Sequence, residues 1–444
     1  MARFLIASLP LTGHNYPPLP IASKLVERGH EVRWYSGRKF QRRIEATGAQ
    51  FEPYRTAYDY DDRDMNAAFP DHVQAKGFKQ MNIDFINVFM NPIVPHCNDI
   101  RAILNEFPAD VLLADGAVWA ASCVHEKGGP PYAVYCETCL GIDSRDTAPF
   151  GTGMLPSFSR IGHVRNRLLR FMASNILFRA TSTELARQRA HLGLPPRKFS
   201  GVEVSPYLLL EATVPGFEYP LSDIPPQVHF VGALLGDPPS DRSLPSWWDE
   251  VTSDGRPVVL VTQGTLSTDP AQLIAPTIAG LAGEDVLVVV AGASPETLGL
   301  ETIPPNVRIA PFIPFGIAMP HARVFVTNGG FGGVHFALSH GVPLVVAGGT
   351  EEKPEIANRL MRNGAGLNLK TGSPTPEQVR NAVNEVLHAS TYREHARRLQ
   401  AELALHDGPT ESALLLEQLA ETGQPVVTPV TTETETISNA AFAG

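Results

Sequence analysis

The feature that most constrains the fold is a strand–helix–strand rhythm that occurs twice along the chain. In the first half, an apolar strand at residues 3–8 leads through a Pro/Gly-rich loop to a helical pattern at 19–27 and a second strand at 31–35. The alternation begins again at residue 258, after a proline-rich stretch at 212–247. Units of this kind build parallel sheets. The sequence therefore predicts two doubly wound α/β domains with a crevice between them.

The length of 444 residues suits two domains of about 200 residues each. We place an N-terminal domain at 1–235, a linker at 236–246 and a C-terminal domain at 247–423. Residues 424–444 are rich in Thr, Glu, Val and Pro and show no apolar period, which predicts a disordered tail.

Charge and hydropathy exclude several classes of partner. A formal net charge of −10, with no dense cluster of lysine and arginine, disfavours nucleic acid. No stretch approaches the roughly 18 uninterrupted apolar residues of a membrane span, and the first strand lacks the features of a secretion signal. We expect a soluble, cytoplasmic protein without an integral membrane segment, either monomer or homodimer.

Two residues are candidates for general base chemistry. Ligands of open parallel sheets bind beyond the carboxyl ends of the strands, and His14 lies in the loop after the first strand. An imidazole suits a base near neutral pH. Asp115 follows an apolar strand at 111–114 and should emerge at the same edge, where a carboxylate would orient the imidazole and stabilise its cation. The alternatives are a turn histidine and a helix N-cap.

A glycine-rich loop in the second half predicts a diphosphate site. Residues 327–333 read Thr-Asn-Gly-Gly-Phe-Gly-Gly, follow a predicted strand and open a predicted helix. Backbone amides and the helix dipole favour an anion there, although a tight strand–helix turn is the alternative. The loop at 263–267 could add hydroxyls and amides, and Glu351 and Glu352 could accept hydrogen bonds from sugar hydroxyls. No G-x-G-x-x-G motif is present, which disfavours a nicotinamide dehydrogenase.

Apolar segments at 81–90 and 149–158, rich in Met and Phe, suit an irregular lipophilic ligand, with ordinary core as the alternative. The candidate acceptor-binding residues are Phe85, Phe89, Met90, Phe150 and Met154. Asp-x-Asp pairs within 59–64 match a metal-binding pattern formally, but we interpret them as a solvated acidic loop and expect no metal. The basic stretch 160–170 is interpreted as a solvated helix face, with membrane-surface contact as the alternative.

Together these motifs resemble the family 1 glycosyltransferases, especially the bacterial macrolide and natural-product branch, up to about residue 420. Segments 312–315, 327–333, 341–343 and 352–353 are similar in order and spacing to the donor signature of that family. Gly13-His14 and Asp115 stand where the family carries its histidine–aspartate dyad. The resemblance implies the GT-B fold, in which two Rossmann-like domains face an interdomain cleft.

The resemblance also implies an activity: inverting transfer of a hexose from a UDP- or dTDP-linked sugar to a hydroxyl of a polyketide, macrolide or phenolic acceptor. His14 would take the proton of that hydroxyl, and no cofactor is needed beyond the nucleotide sugar. Phe312 would stack near the base, Ile313 would offer it backbone groups, and Glu352 would hold sugar hydroxyls. The implied donor-binding residues are Gly264, Thr265, Phe312, Ile313, Asn328, Gly330, Gly332, Gly333, Val334, Glu352 and Lys353.

Three positions depart from the family pattern. The family usually has histidine at Asn328, glutamate bound to the ribose hydroxyls at Phe336, and glutamine at Lys353. Without the ribose-binding carboxylate, a thymidine donor is as plausible as a uridine donor. Two alternatives stay open: a nucleotide-sugar 2-epimerase of the same fold, and a binding protein whose donor site has decayed.

Overall fold

The computed structural model describes residues 1–71, 78–136, 138–236, 244–264, 269–349 and 352–428. Within these ranges each half of the chain forms one parallel β-sheet flanked by helices. The predicted α/β class with two parallel sheets is confirmed.

Among the described residues, the first sheet has seven strands: β1 (Arg3–Ala7), β2 (Glu31–Ser36), β3 (Gln50–Pro53), β4 (Val111–Asp115), β5 (Tyr132–Cys136), β6 (Leu208–Glu211) and β7 (Val228–Phe230). All pairs are parallel, in the order β3–β2–β1–β4–β5–β6–β7. Strands β4 and β5 are buried along their whole length, which explains why they are apolar apart from Asp115 at the end of β4. Ala7 pairs with Ala114, so the loop after β1 and the end of β4 lie at one edge of the sheet.

In the part of the second half that the structure describes, the sheet has six strands: β8 (Val258–Thr262), β9 (Leu287–Ala291), β10 (Val307–Ala310), β11 (Ala322–Thr327), β12 (Leu344–Val346) and β13 (Gly366–Asn368). They are parallel, in the order β10–β9–β8–β11–β12–β13. Thr262 at the end of β8 pairs with Thr327 at the end of β11. The two loops predicted to bind the diphosphate therefore start side by side.

Helices connect the strands and cover both sheets. The helices of the first half are α1 (Thr12–Asn15), α2 (Pro18–Glu27), α3 (Gln41–Ala46), α4 (Met65–Ala68), α5 (Phe78–Asp84), α6 (Ile93–Glu106), α7 (Ala120–Glu126), α8 (Arg160–Met172) and α9 (Arg179–His191). Those of the second half are α10 (Asp249–Ser253), α11 (Ile274–Leu281), α12 (Phe315–Ala318), α13 (Phe331–Ser339), α14 (Lys353–Arg362), α15 (Pro376–His388), α16 (Ser390–Leu403) and α17 (Gly408–Thr422). Segments Phe85–Met90 and Ala173–Leu177 are π-helical. In the described part of the chain, no helix has the length and apolar character needed to cross a bilayer.

The last helix crosses back to the first sheet. Although the sequence places it in the C-terminal domain, α17 packs against α2, β4 and β6. Glu417 on α17 forms ion pairs with Arg28 and His30, each with a closest contact of 2.6 Å. Beyond it, Val426 is buried and its N–H donates to Tyr207 O at 2.9 Å. Residues 424–428, predicted as the start of a disordered tail, are thus packed on the first half, because Val426 finds an apolar site there; 429–444 lie outside the described residues.

Candidate active site

His14 is held by a short turn between the first strand and the second helix. His14 lies in the one-turn helix α1. The side-chain amide of the neighbouring Asn15 donates to Leu9 O at 2.6 Å and to Leu11 O at 2.8 Å. The Tyr135 hydroxyl donates to His14 O at 2.7 Å. These bonds to the preceding loop and to β5 fix the backbone from which the imidazole projects.

The imidazole faces a buried carboxylate. His14 Nδ1 lies 3.3 Å from Asp115 Oδ2, and the His14 side chain is 17% exposed while Asp115 is fully buried. The carboxylate is itself oriented, because Oδ2 accepts from Leu9 N at 2.8 Å and Oδ1 accepts from Ala117 N at 2.6 Å. The structure therefore brings the two predicted residues together, with the carboxylate inside and the imidazole reaching solvent.

The acidic loop before α4 is a structural anchor for this turn. Asp62 is buried, and its Oδ2 accepts from Thr12 N at 2.6 Å, at the start of α1. Lys39 contacts the other oxygen of Asp62 and lies 3.1 Å from Asp61. The interpretation of this loop as solvated is wrong for Asp62, since its carboxylate satisfies the first amide of a helix two residues before His14.

The two loops at the edge of the second sheet are tied together. The Asn328 side-chain amide, which is buried, donates to Gln263 O, so the loop after β11 is bonded to the loop after β8. Gly264 and Gly329 both have positive φ, +80° and +89°, a conformation that a residue with a side chain rarely adopts. Thr265 lies outside the described residues.

Helix α13 directs its N-terminus to this edge. Gly330 is its N-cap, and Val334 N donates to Gly330 O at 3.1 Å, so the amide of Val334 is used within the helix. The amides of residues 331–333 precede the first intrahelical donor and have no partner within the helix. A Cβ placed on Gly332 would meet nothing within 4 Å. The first turn of the helix is therefore open beside Gly332, and its unbonded amides give the helix N-terminus the character of an anion site.

The remaining donor candidates differ in how deeply they are buried. Ile313 is buried in the core, so only its backbone could serve a ligand, whereas Phe312 and Glu352 are half-buried. Lys353 is buried, with its Cβ packed against the backbone of Gly348. Phe336 packs its ring 5.7 Å from that of Phe315, where the family pattern has a carboxylate.

The acceptor candidates divide into core and half-buried residues. Phe85 and Phe89 are half-buried, with ring centroids 5.5 Å apart, and Phe85 also contacts the rings of Phe178 and Phe199. Met90 is fully buried among core residues, and its burial favours the core interpretation over contact with a ligand.

Phe150 and Met154 are half-buried, on the loop between β5 and α8 that contacts the second half of the chain. Glu355 on α14 accepts from Gly151 N at 3.1 Å and from Gly153 N at 2.8 Å. Asn358, one helical turn later, donates to Gly153 O at 2.6 Å. Helix α14, which begins at Lys353, is therefore hydrogen-bonded to the loop that carries Phe150 and Met154.

A buried ion pair extends this junction. Arg359 Nε lies 2.6 Å from Glu218 Oε2, both side chains are almost fully buried, and the guanidinium stacks 4.1 Å from the Tyr219 ring. On α13, His335 Nε2 lies 2.6 Å from Thr213 Oγ1. Burial lowers the pKa of His335 to about 4 and keeps its ring neutral at neutral pH. The sequence analysis did not predict the contacts of Arg359 and His335. On α14 the helical spacing of Glu355 and Arg359 was a signal for a polar face, but it did not indicate that this face is buried.

Among the described side chains, no group of three or more His, Cys, Asp or Glu is arranged to hold a metal ion. The described residues place an imidazole beside a buried carboxylate at the edge of the first sheet, an arrangement that could act as a base, and a helix N-terminus that could bind an anion at the edge of the second sheet.

Comparison with known proteins identifies the family. Residues 275–419 match the family described as "Erythromycin biosynthesis protein CIII-like, C-terminal domain". The chain is 44% identical over 421 residues to 4'-demethylrebeccamycin synthase of Lentzea aerocolonigenes, a match that covers 94% of this chain and 99% of that protein. It is 31% identical over 439 residues to UDP-glycosyltransferase 2 of Phaeomoniella chlamydospora, covering 94% and 95% of the two chains.

Solved structures agree with this fold. The glycosyltransferase of kitacinnamycin superposes with a TM-score of 0.72 at 22% identity, over 94% of this chain and 98% of that one. The spinosyn rhamnosyltransferase SpnG, complexed with thymidine diphosphate, gives a TM-score of 0.66 at 19% identity, over 94% and 100% of the two chains. The molecule has the GT-B fold, and the chain belongs to the family 1 glycosyltransferases, in their bacterial natural-product branch.

Proposed function

We propose that this glycosyltransferase moves a hexose from a UDP- or dTDP-linked sugar to a hydroxyl of a lipophilic small molecule, with inversion at the anomeric carbon. The observation that carries the proposal is the 3.3 Å contact between His14 Nδ1 and Asp115 Oδ2 at the edge of the first sheet. A buried carboxylate behind a partly exposed imidazole is the arrangement of a general base with its orienting partner.

The proposed reaction is a direct displacement. With Nδ1–H directed at Asp115, the lone pair of His14 is on Nε2, which removes the proton of the acceptor hydroxyl. The acceptor oxygen attacks the anomeric carbon while the bond from that carbon to the diphosphate oxygen breaks on the opposite face. The leaving nucleoside diphosphate carries away the negative charge, and the proton stays on His14, where Asp115 stabilises the imidazolium.

The second sheet supplies the donor site in this proposal. The N-terminal amides of α13 would bind the diphosphate and stabilise the charge that grows on it in the transition state. Asn328 would set the spacing of the two loops around it, while Phe312 would contact the base and Glu352 the sugar. Relatives named UDP-glycosyltransferases support a uridine donor. The solved neighbours complexed with thymidine diphosphate, together with Phe336 in place of a ribose-binding carboxylate, support a thymidine donor.

The acceptor side is apolar. Phe85 and Phe89 present half-buried rings, and the loop of Phe150 and Met154 reaches toward the donor half. Aromatic and thioether side chains suit a large, irregular and lipophilic ligand. The relative at 44% identity is named for 4'-demethylrebeccamycin, which supports a natural-product scaffold as acceptor.

The test is a transfer assay with UDP-glucose or dTDP-glucose and a panel of phenolic and macrolide acceptors, with EDTA present. We expect a product heavier by one hexose, detected by mass spectrometry. His14→Ala should lower the rate by about 10²- to 10⁴-fold. His388→Ala, at an exposed histidine of α15, is the matched control and should keep the wild-type rate.

Other outcomes separate the alternatives. Conversion of the nucleotide sugar without any acceptor would replace the proposal with an epimerase. Absence of nucleotide binding in calorimetry would remove the donor site assigned to the α13 N-terminus. A rate that survives His14→Ala would remove the histidine from the mechanism.

A further inference from the structure

Helix α8 turns its apolar side chains away from the protein. Ile161 is 84% exposed, Val164 71%, Leu168 58% and Phe171 62%. Spacings of three and four residues place them on one face of the helix, which we call the α8 stripe. Ile176, in the turn that follows, is 64% exposed and extends it. An ordinary surface helix buries such a face against the core.

The inward face of α8 is polar, and its contacts fix this orientation. His163 Nε2 lies 2.9 Å from Asp146 Oδ1, and Asn166, which is fully buried, donates to Arg145 O at 3.0 Å. Arg170 donates to Thr147 O at 3.0 Å. Turning the stripe inward would break these hydrogen bonds and leave buried polar groups without partners. The stripe is therefore a stable surface of the folded protein.

The surroundings of the stripe are strongly basic. Residues 147–183 contain five arginines and no acidic residue, in a chain whose formal net charge is −10. At 100° per residue, Arg160 and Arg167, both exposed, lie along one side of the stripe, and Arg165 lies along the other. Asp146, which contacts His163, is buried on the inward face of α8. The Debye length at physiological ionic strength is about 8 Å, so more distant acidic groups hardly cancel the local field of the arginines.

We propose that α8 binds the surface of an anionic bilayer, with the stripe at the boundary of headgroups and acyl chains and the flanking arginines on lipid phosphates. An apolar face bordered by basic residues is the composition of helices that lie in a membrane interface. The 13 residues of α8 are too few to span a bilayer, which needs about 20. The inference does not depend on the sugar donor or on His14.

The charge pattern decides between possible occupants of the stripe. In a two-fold dimer built on this face, the arginines of one copy would approach those of the other, and like charges repel. A small-molecule ligand needs a concave site, whereas the stripe is the convex side of a helix. An anionic lipid surface matches both the apolar stripe and its basic margins.

Sedimentation with vesicles tests the proposal. We expect the purified full chain to sediment with vesicles of phosphatidylglycerol and phosphatidylcholine, to release at high salt, and to stay in solution with phosphatidylcholine alone. Ile161→Ser/Phe171→Ser should lower the partition coefficient by roughly tenfold or more. Leu405→Ser/Leu414→Ser removes two exposed leucines far along the chain and is the matched control, which should partition like wild type.

Charge reversal gives a second arm. Arg160→Glu/Arg167→Glu should lower partitioning by roughly fivefold or more for each arginine. All these side chains are exposed, so each variant should unfold at the wild-type urea concentration. Wild type that stays in solution with both kinds of vesicle would overturn the proposal, as would binding that is indifferent to lipid charge. A wild-type dimer that the stripe variant converts to a monomer would assign the surface to a second copy instead.

Discussion

Asp115→Asn should impair both the stability and the chemistry of this enzyme, because the carboxylate serves three groups at once. One oxygen accepts from Leu9 N and faces His14 Nδ1, and the other accepts from Ala117 N. An amide has one acceptor oxygen, so in either orientation its NH2 group would face a backbone N–H. The lost charge-assisted hydrogen bond and the unsatisfied buried donor together cost about 3 kcal/mol of unfolding free energy.

The same substitution should disable the base. With the amide oxygen toward His14, no charge stabilises the imidazolium; with the amide nitrogen toward it, Nδ1 must accept and Nε2 carries the proton. Either arrangement lowers kcat by about 10³- to 10⁴-fold. His14→Ala should lower kcat comparably but cost less stability, because Asp115 keeps both backbone donors.

Urea unfolding followed by tryptophan fluorescence and hexose transfer followed by mass measure the two effects separately. Asp110→Asn is the control: Asp110 also accepts from a strand N–H, that of Arg3 at 2.8 Å, but is exposed. It should change neither property appreciably. An Asp115→Asn variant with the wild-type urea midpoint, or with kcat within tenfold of wild type, would refute the reasoning.

Three further predictions follow from buried groups. Burial lowers the pKa of His96 and His335 to about 4, so the unfolded chain binds more protons below pH ~6.5, and stability should fall as the pH drops, by about 2 kcal/mol per histidine near pH 5. A urea midpoint that stays constant between neutral pH and pH ~5 would contradict this. Gly329→Ala places a side chain on a residue with φ +89°, and its new Cβ would lie 2.6 Å from a methyl carbon of Val346. The resulting backbone strain should raise the Kd for UDP or dTDP, measured by calorimetry, by roughly tenfold. An unchanged Kd would count against this prediction. Arg359→Met leaves Glu218 and Glu355, both buried, without their shared cation and should cost about 3–5 kcal/mol in urea unfolding, whereas replacing Arg359 and Glu218 together should recover part of the loss. Equal loss in both variants would show that the pair is not coupled.

Apolar periodicity was sufficient to predict the two sheets. Strands β4 and β8 are buried throughout, so their sequences are apolar up to the last residue, a pattern that local propensity and burial specify together. The rule that parallel strands end at one edge placed His14 and Asp115 near each other, and the glycine loop near the end of β8.

Residues whose environment is set by distant partners could not be predicted. Nothing near Asp62 indicates that its carboxylate meets Thr12 N, 50 residues earlier in the chain. On α14, Glu355 and Arg359 look like solvent-facing charges, and only the approach of the other half buries them. On α8 a solvated basic face was expected from the sequence, but the exposure of the apolar residues was not, since a helical pattern would place them in the core. In each case tertiary contacts override the local pattern.

The return of α17 to the first sheet determines how this enzyme can be recombined with its relatives. A chimera joined only in the 236–246 segment would combine the first half of one protein with the last helix of another, and Arg28 and His30 would face a foreign residue in place of Glu417. An exchange of second halves should therefore keep residues 408–428 with the first half, so that two crossover points are needed. During synthesis the same connection means that the first half reaches its complete packing only after nearly the whole chain has left the ribosome.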